Sequence, residues 1–156
     1  MAGKLAKEIQ QTKPFASLEE EALLNLGRTY EQLQQRVGEV MRQYQISSTQ
    51  YNMLRILRGA GSEGLTCSQA SERMVTLDPD VTRLLDRLEA RSLIRRDRSK
   101  EDRRVVVTQI TPEGLELLGT LQAPLCGALH QNLGHLGEAK LRQLIDLLEE
   151  LRERTP

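Results

Sequence analysis

Arg83 and Arg87 stand four residues apart, and Asp102 and Arg104 two apart. On a helix the first spacing places both guanidinium groups on one face, one turn apart. A guanidinium can fork onto O6 and N7 of guanine or bind a phosphate, and the neighbouring Thr82 can touch a phosphate or a thymine methyl. On an extended backbone the second spacing places carboxylate and guanidinium on the same side. Asp102 can then hold Arg104 in one orientation, and an arginine aimed in this way can enter a narrow minor groove, where negative potential is enhanced. Arg98, Lys100 and Arg103 remain to meet phosphates. Taken alone, the loop that carries them is a solvated surface with an ion pair of little worth. The elements around it decide otherwise.

The segment from Asp78 to Gly114 reads as an amphipathic helix, a two-stranded hairpin with a basic tip, and the start of another helix. Val81, Leu84, Leu85 and Leu88 recur at i, i+3, i+4 and i+7, which predicts a helix from Pro79 to about Arg91 with a buried stripe. Thr82, Arg83, Asp86 and Arg87 fall on the other side. Leu93 to Asp97 and Arg104 to Ile110 are rich in strand formers, and the polar RSKEDR between them projects as a loop. A shorter helix, about Cys67 to Met74, precedes this one. The pair has the dimensions of a helix-turn-helix, whose second helix lies in the major groove. Asp78 and Asp80 sit awkwardly beside a polyanion. A cap with a dipole-favoured acid is preferred for them over acceptance from a cytosine amino group.

Local chemistry marks further helix starts. Ser17, Ser47 and Thr66 are each followed three residues later by Glu or Gln, the capping-box spacing. Asp78-Pro79 and Thr111-Pro112 place a cap residue before a proline at the first helical position. These predict helices from about Leu18 to Tyr44, Ser48 to Arg58, Pro112 to Leu133 and Glu138 to Arg154, with GAGSEG (59–64) as a flexible connection. The terminal helices carry wide apolar faces, including Leu141, Leu144, Ile145, Leu147, Leu148 and Leu151. A central domain of this size cannot cover them all, so a homodimer is expected, in preference to an intramolecular bundle. The fold class is mainly α with a small β-hairpin wing. Residues 1–45 are an N-terminal segment and dimerisation helix, 46–111 a winged helix-turn-helix DNA-binding domain, and 112–156 C-terminal dimerisation helices.

The chain has 156 residues, no tryptophan, 3% aromatics and a formal net charge of zero. Overall charge therefore gives no pull toward nucleic acid, and charge must be examined locally. From Arg91 to Arg104, seven basic residues face three acidic ones, a surplus of four. No apolar run spans a bilayer and no signal-peptide pattern opens the chain, so a cytoplasmic protein with a short, polar, mobile N-terminus is expected. Cys67 and Cys126 lack metal-ligand spacing. Cys67 lies in the first turn of a helix, where a thiol pKa can fall, but a small packed residue is the preferred reading. Cys126 reads as a core or interface residue. His130 and His135 have no partner in ligand spacing. No nucleophile-base pair, phosphate loop or cofactor fingerprint is present, so catalytic residues, metal and cofactor are all expected to be absent.

VTRLLDRLEARSLIRR, Asp102 with Arg104, ITPEG (110–114) and SSTQYNMLRIL (47–57) together resemble the MarR (multiple antibiotic resistance regulator) family of winged-helix repressors, over about residues 17–154. The resemblance implies a transcription regulator, usually a repressor, whose terminal helices intertwine in a homodimer on a pseudo-palindromic DNA operator. It also implies a crevice where a small phenolic or aromatic effector loosens DNA binding. Carried over by position, Thr82, Arg83 and Arg87 become recognition-helix contacts, and Asp102 with Arg104 the wing pair. Ser92 stands where the family usually has glycine. Two other readings stay open: a winged-helix protein-interaction module that does not read DNA, and a thiol-based redox sensor using Cys67.

Overall fold

A computed structural model describes residues 3–76, 78–99 and 102–153. The helices are α1 Lys4–Glu8, α2 Leu18–Gln43, α3 Ser48–Ala60, α4 Cys67–Glu72, α5 Val81–Ala90, α6 Pro112–Leu133 and α7 Gly137–Glu153, with the strands β1 Ile94–Arg98 and β2 Val106–Ile110 between α5 and α6. This is a mainly helical chain with a two-stranded antiparallel hairpin. Contacts divide it into two units, residues 1–37 and residues 38–156.

In the first unit the N-terminal stretch differs from expectation. It is not a formless segment: Leu5 and Ala6 are buried, and the chain around them winds into α1. At the start of α2, Ser17 Oγ accepts the amide of Glu20, as a capping box requires, but the Glu20 carboxylate returns to the amide of Ala16. Leu18, Leu23, Leu24, Leu26 and Tyr30 are exposed along this helix.

The second unit holds the winged helix. Its core is built from Met53, Leu54 and Leu57 of α3, Leu84, Leu85 and Leu88 of α5, Ile94 of β1, and Leu118 and Leu121 of α6. Reciprocal capping boxes start α3 at Ser47 and α4 at Thr66. Thr111 caps α6, with Pro112 in its first turn. GAGSEG is more ordered than a flexible link. Gly59 and Ala60 extend α3, and Gly61–Glu63 form a single 3₁₀ turn. A Cβ on Gly64 would fall 2.6 Å from the Thr108 carbonyl oxygen. This close approach lets Leu65 pair with Thr108 through two backbone hydrogen bonds of 3.0 and 2.7 Å. Leu65 thereby covers the outer edge of β2.

The junction between α5 and β1 is a tight turn. Ser92 has φ 56°. Its amide donates to the Glu89 carbonyl (2.8 Å), and that of Leu93 to the Leu88 carbonyl (3.0 Å). This is the Schellman closure of a helix, in which the left-handed residue is usually glycine. Thr111 adds a second layer: its hydroxyl donates to the Ser92 carbonyl and its amide to the Leu93 carbonyl. A Cβ on Gly114 would meet the Leu93 carbonyl oxygen at 2.3 Å, so the first turn of α6 lies directly on this peptide. Because Ser92 occupies a conformation that disfavours a side chain, Ser92→Gly is expected to stabilise the protein by up to about 1 kcal/mol. The midpoint of urea denaturation measures this, and an unchanged or lower midpoint would refute it.

Candidate nucleic-acid interface

The N-terminus of α5 is set two residues later than the sequence suggests. Asp80, not Asp78, is the cap: its Oδ1 accepts the Arg83 amide at 3.0 Å. Asp78 Oδ1 in turn accepts the Asp80 amide at 2.9 Å. Pro79 therefore lies before the helix. Both carboxylates are held by local amides, and the positive end of the helix favours Asp80 there. Val81, Leu84, Leu85 and Leu88 are buried, whereas Thr82, Arg83, Asp86 and Arg87 are exposed. One face of α5 therefore grips the core and the opposite face presents two guanidinium groups one turn apart. Arg83 and Arg87 flank a cleft of about 280 Å³ that also borders Ser47, Thr49 and Gln50 at the start of α3.

The hairpin pairs Ile94 with Ile110, Arg96 with Thr108 and Arg98 with Val106. At its tip the structure corrects the expected role of Asp102. Its Oδ1 accepts the backbone amide of Arg104 (2.9 Å), and its carbonyl accepts the amide of Val105 (2.9 Å). The carboxylate thus shapes the turn and does not grip the Arg104 guanidinium. A two-residue offset across a tight turn brings an aspartate onto the next-but-one amide, a geometry that an extended backbone does not offer. Arg103 and Arg104 are exposed. Arg98 donates to the Arg103 carbonyl at 3.2 Å, so this cation also braces the loop. Lys100 lies outside the described residues.

Three side chains that sequence spacing did not single out hold these parts together. Arg91, at the end of α5, donates to the carbonyls of Tyr44 and Gln45 beyond the end of α2. Arg95 donates to Gln109 Oε1 across the hairpin (3.0 and 2.8 Å), and Gln109 Nε2 continues to the Ser62 carbonyl. Arg96 reaches from β1 to Asp86 (2.6 Å) and Glu89 (2.9 Å from Nε) on α5. The period of two could have found Arg96, because it places this charged residue on the same face as buried Ile94. Cys67 and Cys126 are both free and exposed, which overturns the packed reading of each within one chain. Among the described residues no cluster of histidine, cysteine or carboxylate could hold a metal ion.

The profile of the MarR family matches residues 46–106, from the chain entering α3 to the start of β2. The uncharacterized HTH-type transcriptional regulator YhbI of Bacillus subtilis is 33% identical over 140 residues, covering 85% of this chain and 88% of that protein. The chain belongs to the MarR family. A MarR transcription factor from Planctomyces limnophilus shares 43% identity and superposes with a TM-score of 0.68 over 87% of this chain and 98% of that one. BpsR of Bordetella bronchiseptica, whose DNA binding is regulated by 6-hydroxynicotinic acid, is 21% identical with a TM-score of 0.78, covering 92% of this chain and 100% of that one. This MarR-family chain is accordingly a DNA-binding transcriptional regulator and not an enzyme. Among the described residues no helix is long and apolar enough to cross a membrane.

The fork from Arg96 holds the Glu89 carboxyl below the usual glutamate range, chiefly through the hydrogen bond from Arg96. A carboxylate whose folded pKa is depressed stabilises the fold above its unfolded pKa, and that contribution is lost as pH falls through the folded value. Glu89→Gln is therefore expected to lower the melting temperature at pH 7, with the difference from the parent vanishing below the usual glutamate range. A difference that persisted undiminished at pH 2–3, about two units below the ordinary glutamate value, would show that Glu89 acts through packing and not charge.

Proposed function

We propose that this MarR-family regulator is a homodimeric repressor of a pseudo-palindromic operator, released by a small phenolic or aromatic ligand. The observation that carries the DNA-reading part is the division of α5 into a buried stripe and an exposed face bearing Thr82, Arg83 and Arg87, in a unit whose hairpin ends in an exposed basic turn. In this reading those three residues meet base edges and phosphates in the major groove. Arg104 enters the adjacent minor groove, Asp102 shapes the turn that presents it, and Arg98, Lys100 and Arg103 meet phosphates. Residues 46–111 form the DNA-binding domain, and residues 1–45 and 112–156 supply the helices that join two copies. The exposed apolar residues on α2 and α7 support the dimer, because such a surface on a small soluble chain marks an interaction site. BpsR supports the ligand reading, since an aromatic acid regulates that protein's DNA binding. A dimer covering an operator excludes other proteins from it, which makes repression the simplest output.

Selection of bound fragments from sheared genomic DNA identifies the operator. On the selected duplex, Arg83→Ala and Arg104→Ala are each expected to weaken binding by about tenfold or more, as loss of one arginine contact of 1–3 kcal/mol implies. Light scattering is expected to show both variants still dimeric. Unchanged affinity in either variant removes that residue from the interface. Ile145→Glu, on the exposed apolar face of α7, is expected to shift the protein toward monomer in sedimentation, and a wild-type protein that sediments as a monomer would sink the dimer itself.

A further inference from the structure

We propose that Arg96 is a positioning residue for DNA binding, which fixes the wing at one angle to the recognition helix so that both can enter neighbouring grooves together. This rests on the reading of α5 and the wing as the two DNA-contacting elements.

A two-stranded hairpin is marginal alone in water and takes its orientation from what it packs against. Here the two faces of the hairpin have different supports. On one face the Arg95–Gln109 pair continues to Ser62, and Leu65 closes the edge of β2. On the other face, beyond buried Ile94, the support reaching α5 is Arg96. Its Nε donates to Glu89 Oε2, and its Nη2 is shared between Glu89 Oε2 and Asp86 Oδ1. Asp86 and Glu89 lie three residues apart on neighbouring turns of one helix face. A planar fork between them restrains both the distance and the twist of the strand relative to the helix. Lysine, a single point charge on a flexible stem, restrains the distance alone.

Position makes this restraint matter. Asp86 directly precedes Arg87 and lies three residues after Arg83, so the fork is anchored on the turn that presents those guanidiniums. Beyond Arg96 the strand runs two residues to Arg98, which holds the Arg103 carbonyl at the tip. A small rotation at Arg96 therefore displaces Arg103 and Arg104 while leaving α5 in place. The Arg96 side chain is 25% exposed, against 54% for Asp86. Its donors point at carboxylates, so it acts through the wing and not as a DNA contact itself.

A double-mutant cycle on the duplex selected by the wild-type protein, at one fixed salt concentration, tests this. Arg96→Met and Arg104→Ala are each expected to weaken binding about tenfold, with the double variant within about twofold of the weaker single, because a misplaced wing gains nothing from Arg104. Arg96→Lys is expected to recover part of the loss, and it replaces Arg96→Met in the cycle if that variant does not fold by circular dichroism. If the two losses multiply, the wing still contacts DNA but Arg96 does not place it, and the proposal falls. If Arg96→Met is restored to wild-type affinity by adding Asp86→Asn and Glu89→Gln, Arg96 only shields two acids, and the proposal falls as well. If Arg104→Ala is silent, the wing reading fails first and takes the proposal with it.

Discussion

Two consecutive carbonyl groups, those of Ser92 and Leu93, are the point on which the winged helix depends. The preceding helix ends on their amides, and the Thr111 hydroxyl and amide bind their oxygens. The first turn of α6 lies so close to the Leu93 oxygen that only a residue without a side chain fits at Gly114. Helix α5, the hairpin and the long helix that follows therefore meet in one small volume, with the amide and carbonyl of both Ser92 and Leu93 hydrogen-bonded. The ITPEG sequence has a plain physical content at this place. Threonine supplies two donors and an acceptor, proline occupies a helix position that needs no amide hydrogen, and glycine permits contact.

Charge in this chain is arranged by position and not by amount. The total is zero, and acids lie on and beside the exposed face of α5. Each is occupied by a neighbour: Asp80 and Asp78 by amides at the head of the helix, Asp86 and Glu89 by Arg96. Carboxylates satisfied in this way repel a polyanion less than free ones, because their charge is offset within a few ångströms. The cations divide similarly. Arg91, Arg95, Arg96 and Arg98 each bond to another part of the protein, Arg96 alone among them being partly buried, while Arg83, Arg87, Arg103 and Arg104 are exposed. Part of the basic surplus counted between Arg91 and Arg104 therefore also has structural work.

What could be read from sequence was what local chemistry decides. Caps at Ser47, Thr66 and Thr111 set three helix starts, and the buried stripe of α5 follows from its periodicity. The left-handed residue at Ser92 was legible only through the expected glycine it replaces. The start of α5 was misplaced by two residues because Asp78-Pro79 and Asp80 offer competing caps, and Asp80 takes the Arg83 amide while Asp78 takes that of Asp80. Asp102 and Arg104 were read on an extended strand, whereas a turn there hands the carboxylate to an amide. Gln109 to Ser62, Leu65 to Thr108, and Arg91 to the end of α2 join residues more than forty positions apart. No local pattern encodes such pairs. GAGSEG looked flexible for the same reason: its last glycine, Gly64, serves a strand that comes much later in the chain.

No residue of α7 is buried, although Ile145, Leu147 and Leu151 each expose more than half of their surface. A helix in this condition draws little stability from its own chain. If a second copy covers it, folding and assembly become a single equilibrium, and the melting temperature rises with protein concentration by mass action. The abundance of such a regulator would then influence its lifetime as well as its occupancy on DNA: a cell that made less of it would hold a larger fraction as exposed monomer, open to proteolysis.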